Sequence, residues 1–148
     1  MPCWPTLCVV FADTGALYAL LVVGDVHHQD AVRAERILRE QREQLWTLDP
    51  VLTELWLLLR RDVDIQTCDR LVRGLLQRGL KREQLEILDF ARAWEIGRDW
   101  SDQTFSLTDR QAFAAIERSR RSRAWSYDRD FAIIRIGPAR NRALDLVR

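Results

Sequence analysis

The chain has 148 residues, 47% of them hydrophobic and 30% charged, with a formal net charge of +1. That is one domain's worth of a soluble globular protein, enough for a single sizeable core, and a charge balance that argues neither for nor against a polyanionic partner. Cys3, Cys8 and Cys68 are an odd set without CxxC spacing, which excludes a cysteine metal motif and an obvious disulfide framework and points to a reducing cytoplasm.

The longest apolar run, Ala16 to Val23, is far shorter than the roughly 20 residues of a membrane span. No basic leader with an apolar core and cleavage site opens the chain, so the expected location is cytoplasmic, with no membrane partner. Every cationic residue except Lys81 is arginine. Arginine suits bidentate contacts to phosphate and carboxylate, and a coding bias towards arginine accounts for most of this usage.

Leu7 to Ala12 (LCVVFA) is a short apolar run rich in β-formers, the pattern of a strand buried on both faces of a parallel sheet. It ends at Asp13, and Thr14 and Gly15 lead into an apolar helix, Ala16 to Val22. Asp13 is thus expected at the carboxyl end of a central strand, the edge where ligands bind in open α/β sheets. It also suits the N-cap of that helix, and the two roles are compatible.

His27 and His28 open an amphipathic helix reaching about Gln44. Helix neighbours point about 100° apart, so the two histidines do not readily share one ion, and they read as helix-start residues. A short strand is expected over Leu45 to Leu48. Asp49 and Pro50 then signal a helix start, followed by VLTELWLLLRR, which is apolar almost all round and therefore expected to be largely buried. Glu54 inside it needs a partner: an arginine, a hydrogen bond or a metal.

Further helices are expected over Asp64 to Arg78, with Gly79 closing it, and from Ala91 to about Trp100. A strand is expected over Leu85 to Leu88. In FSLTDRQAFAAI, Ser106 and Asp109 fit a capping box on a helix from Leu107 to about Arg121. Asp109 either caps that helix or faces a pocket. Arg118, Arg120, Arg121 and Arg123 complement the helix's negative end and are also suited to contact a phosphate backbone. A strand over Ala124 to Tyr127 leads to Asp128, and Ile133 to Ile136 reads as a final edge strand. Residues 139–148 read as a short basic tail. Strands alternating with helices imply one α/β domain over residues 1–148, an α/β sandwich around a mainly parallel sheet.

Asp13, Glu54, Asp109 and Asp128 come from separate elements and can share one crevice, where their mutual repulsion calls for a cation. An all-oxygen acidic set favours Mg2+ or Mn2+ over zinc, and such ions suit phosphodiester hydrolysis. Spacing alone is a weak signal, because any α/β domain carries acids at strand ends.

The joint occurrence of VVFADTGALYALL, HHQDA, LDPVLTELWLLLRR, FSLTDRQAFAAI and WSYDRDF, in that order over nearly the whole chain, resembles PIN-domain ribonucleases, most closely the VapC-type toxins of bacterial toxin–antitoxin pairs. The resemblance implies a compact α/β/α fold with a parallel sheet and an acidic site at Asp13, Glu54, Asp109 and Asp128. It also implies a magnesium-dependent endoribonuclease acting on structured RNA, typically transfer or ribosomal RNA, with a cognate antitoxin and a toxin homodimer. On that reading Asp13, Asp109 and Asp128 hold one or two ions and Glu54 positions or activates water. Asp130, Asp102 and Thr14 are secondary candidates for orienting waters.

The sequence departs from the family in the apolar stretch ALLVVGDVHH and in the terminal ARNRALDLVR. The competing reading is a non-catalytic PIN-like binding module. A haloacid-dehalogenase-type phosphatase is disfavoured because Gly15 stands where its second aspartate belongs. A receiver domain lacks its strand-end lysine, and a Rossmann domain lacks GxGxxG after a strand.

Overall fold

The computed structural model describes residues 8–148. The first predicted strand loses Leu7 to the undescribed residues, as the cysteine set loses Cys3. Cys8 and Cys68 are free thiols, exposed and buried respectively. The central strand is β1 (Val9–Ala12), in which Val10, Phe11 and Ala12 are fully shielded, as an apolar run without alternation requires. It lies between β2 (Gln44–Leu48) and β4 (Arg123–Trp125), both parallel to it. Outside these lie β3 (Lys81–Glu83) beside β2 and β7 (Asp145–Val147) beside β4, so the five-stranded sheet has the order β3-β2-β1-β4-β7 and is parallel throughout.

From β1 the chain moves outward through α1 (Thr14–Leu21) and α2 (His28–Glu40) to β2. It continues through α3 (Asp49–Leu59) and α4 (Ile65–Gln77) to β3. It then returns through α5 (Ile87–Asp99) and α6 (Leu107–Arg118) to β4 on the other side of β1. Right-handed crossovers in opposite directions put the two groups of helices on opposite faces. Accordingly α1 packs on α2 and α3, α3 on α4, and α5 on α6. The result is the expected three-layer α/β/α sandwich.

Local chemistry sets the helix ends. Pro50 sits in the first turn of α3. Asp64 caps α4 by accepting from the Thr67 N–H. Gly79 follows that helix at φ +107°, a conformation L side chains rarely adopt. Both α5 and α6 open with capping boxes, Glu86/Asp89 and Ser106/Asp109.

Four expectations are corrected. The third strand is Lys81–Glu83 rather than Leu85 to Leu88, and Ile87 and Leu88 open α5 instead. β3 is an edge strand of charged residues, so it carries no apolar pattern. Ile133 to Ile136 is not the sheet edge: α7 (Arg129–Ile133) ends there, and β5 (Arg135–Ile136) pairs antiparallel with β6 (Arg142–Ala143) in a separate two-stranded sheet. Residues 139–148 are not a tail, because they supply β6 and the true edge strand β7. Finally, α3 is buried along one face rather than over most of its surface: Val51, Leu52, Leu55 and Leu59 face the core, while Thr53 and Leu57 are exposed.

The arginine cluster after α6 is committed to the scaffold. Arg118 donates to the carboxylate of fully buried Asp89 at 2.8 and 3.1 Å, joining α6 to α5. Arg121 pairs with Glu83 at 2.8 Å and lies over the Trp46 ring. Arg123 pairs with Glu43 and Asp145. Among the described residues, Arg120, exposed at φ +56°, is the member of this group that makes no ion pair. Asp89 is buried while Arg118 is partly exposed, so removing the arginine leaves a shielded carboxylate that keeps only its capping bond from the Glu86 N–H. Arg118→Met should therefore lower the unfolding free energy by about 1–2 kcal/mol in urea denaturation, and Arg118→Lys should lose less.

Candidate active site

The carboxyl ends of β1 and β4 lie side by side because the strands are parallel neighbours in register, with Ala12 opposite Trp125. The Asp13 N–H extends the ladder by donating to the Trp125 carbonyl at 3.1 Å. Asp13 takes the N-cap position of α1, yet its side chain makes no capping hydrogen bond. Its Oδ2 instead accepts from Ser126 Oγ at 2.9 Å. The side chain is thus turned across the sheet edge towards β4.

WSYDRDF reaches the same edge by a different local route from the one expected. β4 ends at Trp125, and Asp128 caps the short α7 by accepting from the Asp130 N–H at 2.8 Å. That helix is anchored by fully buried Phe131, which stacks on Phe11 at 6.1 Å and meets Phe113 edge-on at 4.9 Å. The aromatic anchor fixes the turn carrying Asp128 and Asp130 against the strand carrying Asp13 and the helix carrying Asp109.

Asp109 is 8% exposed. Ser106 Oγ accepts from its N–H at 3.0 Å and its Oδ2 accepts from the Ser106 N–H at 3.1 Å. The cap occupies this one oxygen, and the carboxylate still belongs to a cluster. Asp109, Asp128 and Asp130 each offer an oxygen, all within 4.8 Å of one another. Glu54, half-buried on α3, accepts from Thr14 Oγ1 at 2.5 Å. Capping and site-building therefore coexist at Asp109.

The electrostatics tie these groups together. Burial, reinforced by the charge of Asp109 and more weakly that of Asp128, pushes the Asp13 carboxyl up to about 7 against the pull of the Ser126 hydrogen bond. Burial also lifts Asp109 to about 6, with Asp128 and Glu54 adding repulsion and Ser106 opposing. Asp130 is raised by burial and by Asp128. Among the described residues, none of Asp13, Glu54, Asp109, Asp128 and Asp130 makes a salt bridge. Acids left uncompensated in an arginine-rich chain form an oxygen-only donor set that fits a hard divalent cation.

The other candidates sort cleanly. Thr14 is at the site through Glu54. Asp130 joins the carboxylate cluster and ranks above its secondary expectation. Asp102 is exposed, contacts Gln103 and stands outside that cluster. His28 hydrogen-bonds the Ala19 carbonyl at 2.8 Å and His27 stacks on Tyr127 at 4.4 Å, so neither joins the donor set. Ser126 escaped the sequence reading, because one serine at a strand end carries no distinguishing pattern.

Native Asp13 and Asp109 keep their protons to higher pH than the unfolded chain, whose aspartates titrate near 3.8. Between those values the native state binds more protons, so metal-free stability falls as pH rises from about 4 through 7. Asp13→Asn should raise the unfolding free energy of metal-free protein by about 1–3 kcal/mol at pH 8 and change it little near pH 4, read by urea denaturation.

Comparison with known proteins places this fold. No curated protein matches the sequence. Among solved structures, the fold is similar to VapC20 of Mycobacterium tuberculosis, described as a sarcin-ricin loop cleaving toxin. The two share 24% identity and a TM-score of 0.72 over 82% of this chain and 91% of that one. It is also similar to VapBC2 of Rickettsia felis bound to a promoter DNA fragment, at 12% identity and a TM-score of 0.71 over 95% of this chain and 99% of that one. The PIN domain family model matches residues 10–136, a span running from the middle of β1 through the Asp128 turn to β5. The chain belongs to the PIN domain family.

Proposed function

We propose that this protein is a divalent-metal-dependent endoribonuclease of the VapC type, the toxin of a toxin–antitoxin pair, which hydrolyses phosphodiester bonds in structured RNA such as transfer or ribosomal RNA. The observation that carries this reading is a set of carboxylates at the carboxyl edge of the sheet in a PIN domain, with buried Asp13 and Asp109 beside half-buried Asp130 and exposed Asp128, none of them in a salt bridge among the described residues. The described activity of VapC20 and the assembly named for VapBC2 support it by similarity of fold. On this reading the protein works in the cytoplasm with a cognate antitoxin and as a homodimer. Exposed Ile87, Leu88 and Trp94 on α5 offer apolar surface for such contacts.

Asp13, Asp109 and Asp128 would hold one or two Mg2+ or Mn2+ ions, and Asp130 is placed to assist. When bound, such an ion polarises the phosphate and neutralises charge on the leaving oxygen. The protein's own groups do the rest. Glu54 keeps Oε2 on Thr14, and its Oε1, without a hydrogen-bond partner among the described residues, would orient an attacking water or take its proton. The Ser106 and Ser126 hydrogen bonds hold Asp109 and Asp13 in place. Burial of Asp13 and Asp109 strengthens the charge interactions of those two groups, while exposed Asp128 leaves the site open to substrate.

The alternative, a non-catalytic PIN-like binding module, draws on one observation. Arg118, Arg121 and Arg123, candidates for tracking an RNA backbone, are spent on Asp89, Glu83 and Glu43. Cleavage assays on protein freed of any antitoxin separate the two readings. Ribosomal and transfer RNA should be cut with Mg2+ and left intact with EDTA. Asp13→Asn and Asp109→Asn should each reduce the rate by about 100-fold or more. Undiminished cutting by either variant sinks the proposed site, and absence of metal-dependent cutting by wild type favours the binding module.

A further inference from the structure

Ser126 has no solvent exposure and stands between two of the site acids. Its Oγ donates to Asp13 Oδ2 at 2.9 Å and accepts from the Asp128 N–H at 3.0 Å. A serine hydroxyl carries one hydrogen, whereas a backbone N–H only donates. Both bonds are therefore directional, and the hydroxyl's single proton is aimed at the Asp13 carboxylate. The contact spans 113 residues of sequence. It joins the end of β1 to the turn after β4 just beyond the last ladder pair, Ala12 with Trp125.

We infer that Ser126 is a positioning residue for the divalent cation of the proposed site. By engaging Asp13 Oδ2 it fixes the carboxylate rotamer and leaves Oδ1 for the ion. By accepting from the Asp128 N–H it sets the turn that carries Asp128 and Asp130 at the same edge. One hydroxyl thereby coordinates two elements that each supply a ligand. Outer partners of this type change metal affinity by about 10- to 100-fold when removed.

This inference rests on the metal-dependent reading above, and its test separates the two. Mn2+ is titrated calorimetrically into the full chain, with circular dichroism as the check on folding. Wild type should bind, folded Ser126→Ala should bind at least about 10-fold more weakly, and Ser126→Thr, which keeps the hydroxyl, should stay within about threefold of wild type. If Ser126→Ala does not fold, Ser126→Cys replaces it, since a thiol keeps the bulk and loses the strong donor. A purely structural serine would lower the melting temperature and leave the affinity of the folded protein unchanged. Folded Ser126→Ala or Ser126→Cys binding Mn2+ within about twofold of wild type overturns the inference, as does folded Ser126→Thr binding no better than Ser126→Ala. Wild type that binds no Mn2+ overturns the metal-dependent reading itself, and this inference with it.

Discussion

The parallel pairing of β1 with β4 is the constraint on which the rest of the molecule depends. Only a strand shielded on both faces can occupy the middle of the sheet, and Val10, Phe11 and Ala12 meet that demand with complete burial. Parallel alignment then brings two carboxyl ends to the same edge, where strand ladders give way to turns. Asp13 and Ser126 meet there because Ala12 and Trp125 are partners one step earlier. Displacing β4 by one residue would turn its side chains to the opposite faces and break that contact.

Charge is distributed with a clear division of labour. Arginines pair with acids that join structural elements: Arg118 with Asp89 across α5 and α6, Arg121 with Glu83 on β3, and Arg123 with Glu43 before β2. The acids at the sheet edge receive hydroxyl and backbone donors instead. A neutral hydroxyl can hold a carboxylate in place without cancelling its charge, whereas an arginine would do both. The fold thus retains negative potential at one place and accepts raised proton affinity at Asp13 and Asp109 as the cost.

Most of the candidate site was legible in the sequence where a strong local pattern placed an acid. Asp13 followed from the apolar run that ends at it, and Asp109 from the capping box. Glu54 stood out as a carboxylate in an apolar helix. Asp128 was expected at a strand end and lies three residues beyond it, as the cap of a short helix that Phe131 pins into the core. The misplaced elements share a physical cause. β3 and β7 are three-residue sheet edges: β3 is wholly charged and β7 offers only Leu146 and Val147 after exposed Asp145, too short a run for the apolar signature on which strand reading depends. Ser126 and the Thr14–Glu54 contact arise from tertiary proximity, which no local window contains.

The bond between Ser126 and Asp13 also has a kinetic consequence. Closing a segment of 113 residues costs chain entropy before any contact at the far end repays it. Topologies of this kind fold late across the seam that joins distant strands. The helix pair α5 and α6 can form from contacts near in sequence, and Asp109 on α6 meets Asp128 and Asp130 on α7 through elements that all lie beyond α5. Asp13 joins these acids only once β4 has docked on β1. A nascent chain not yet extended to β4 therefore has no assembled site, and a molecule parted along the β1–β4 seam separates Asp13 from the other acids.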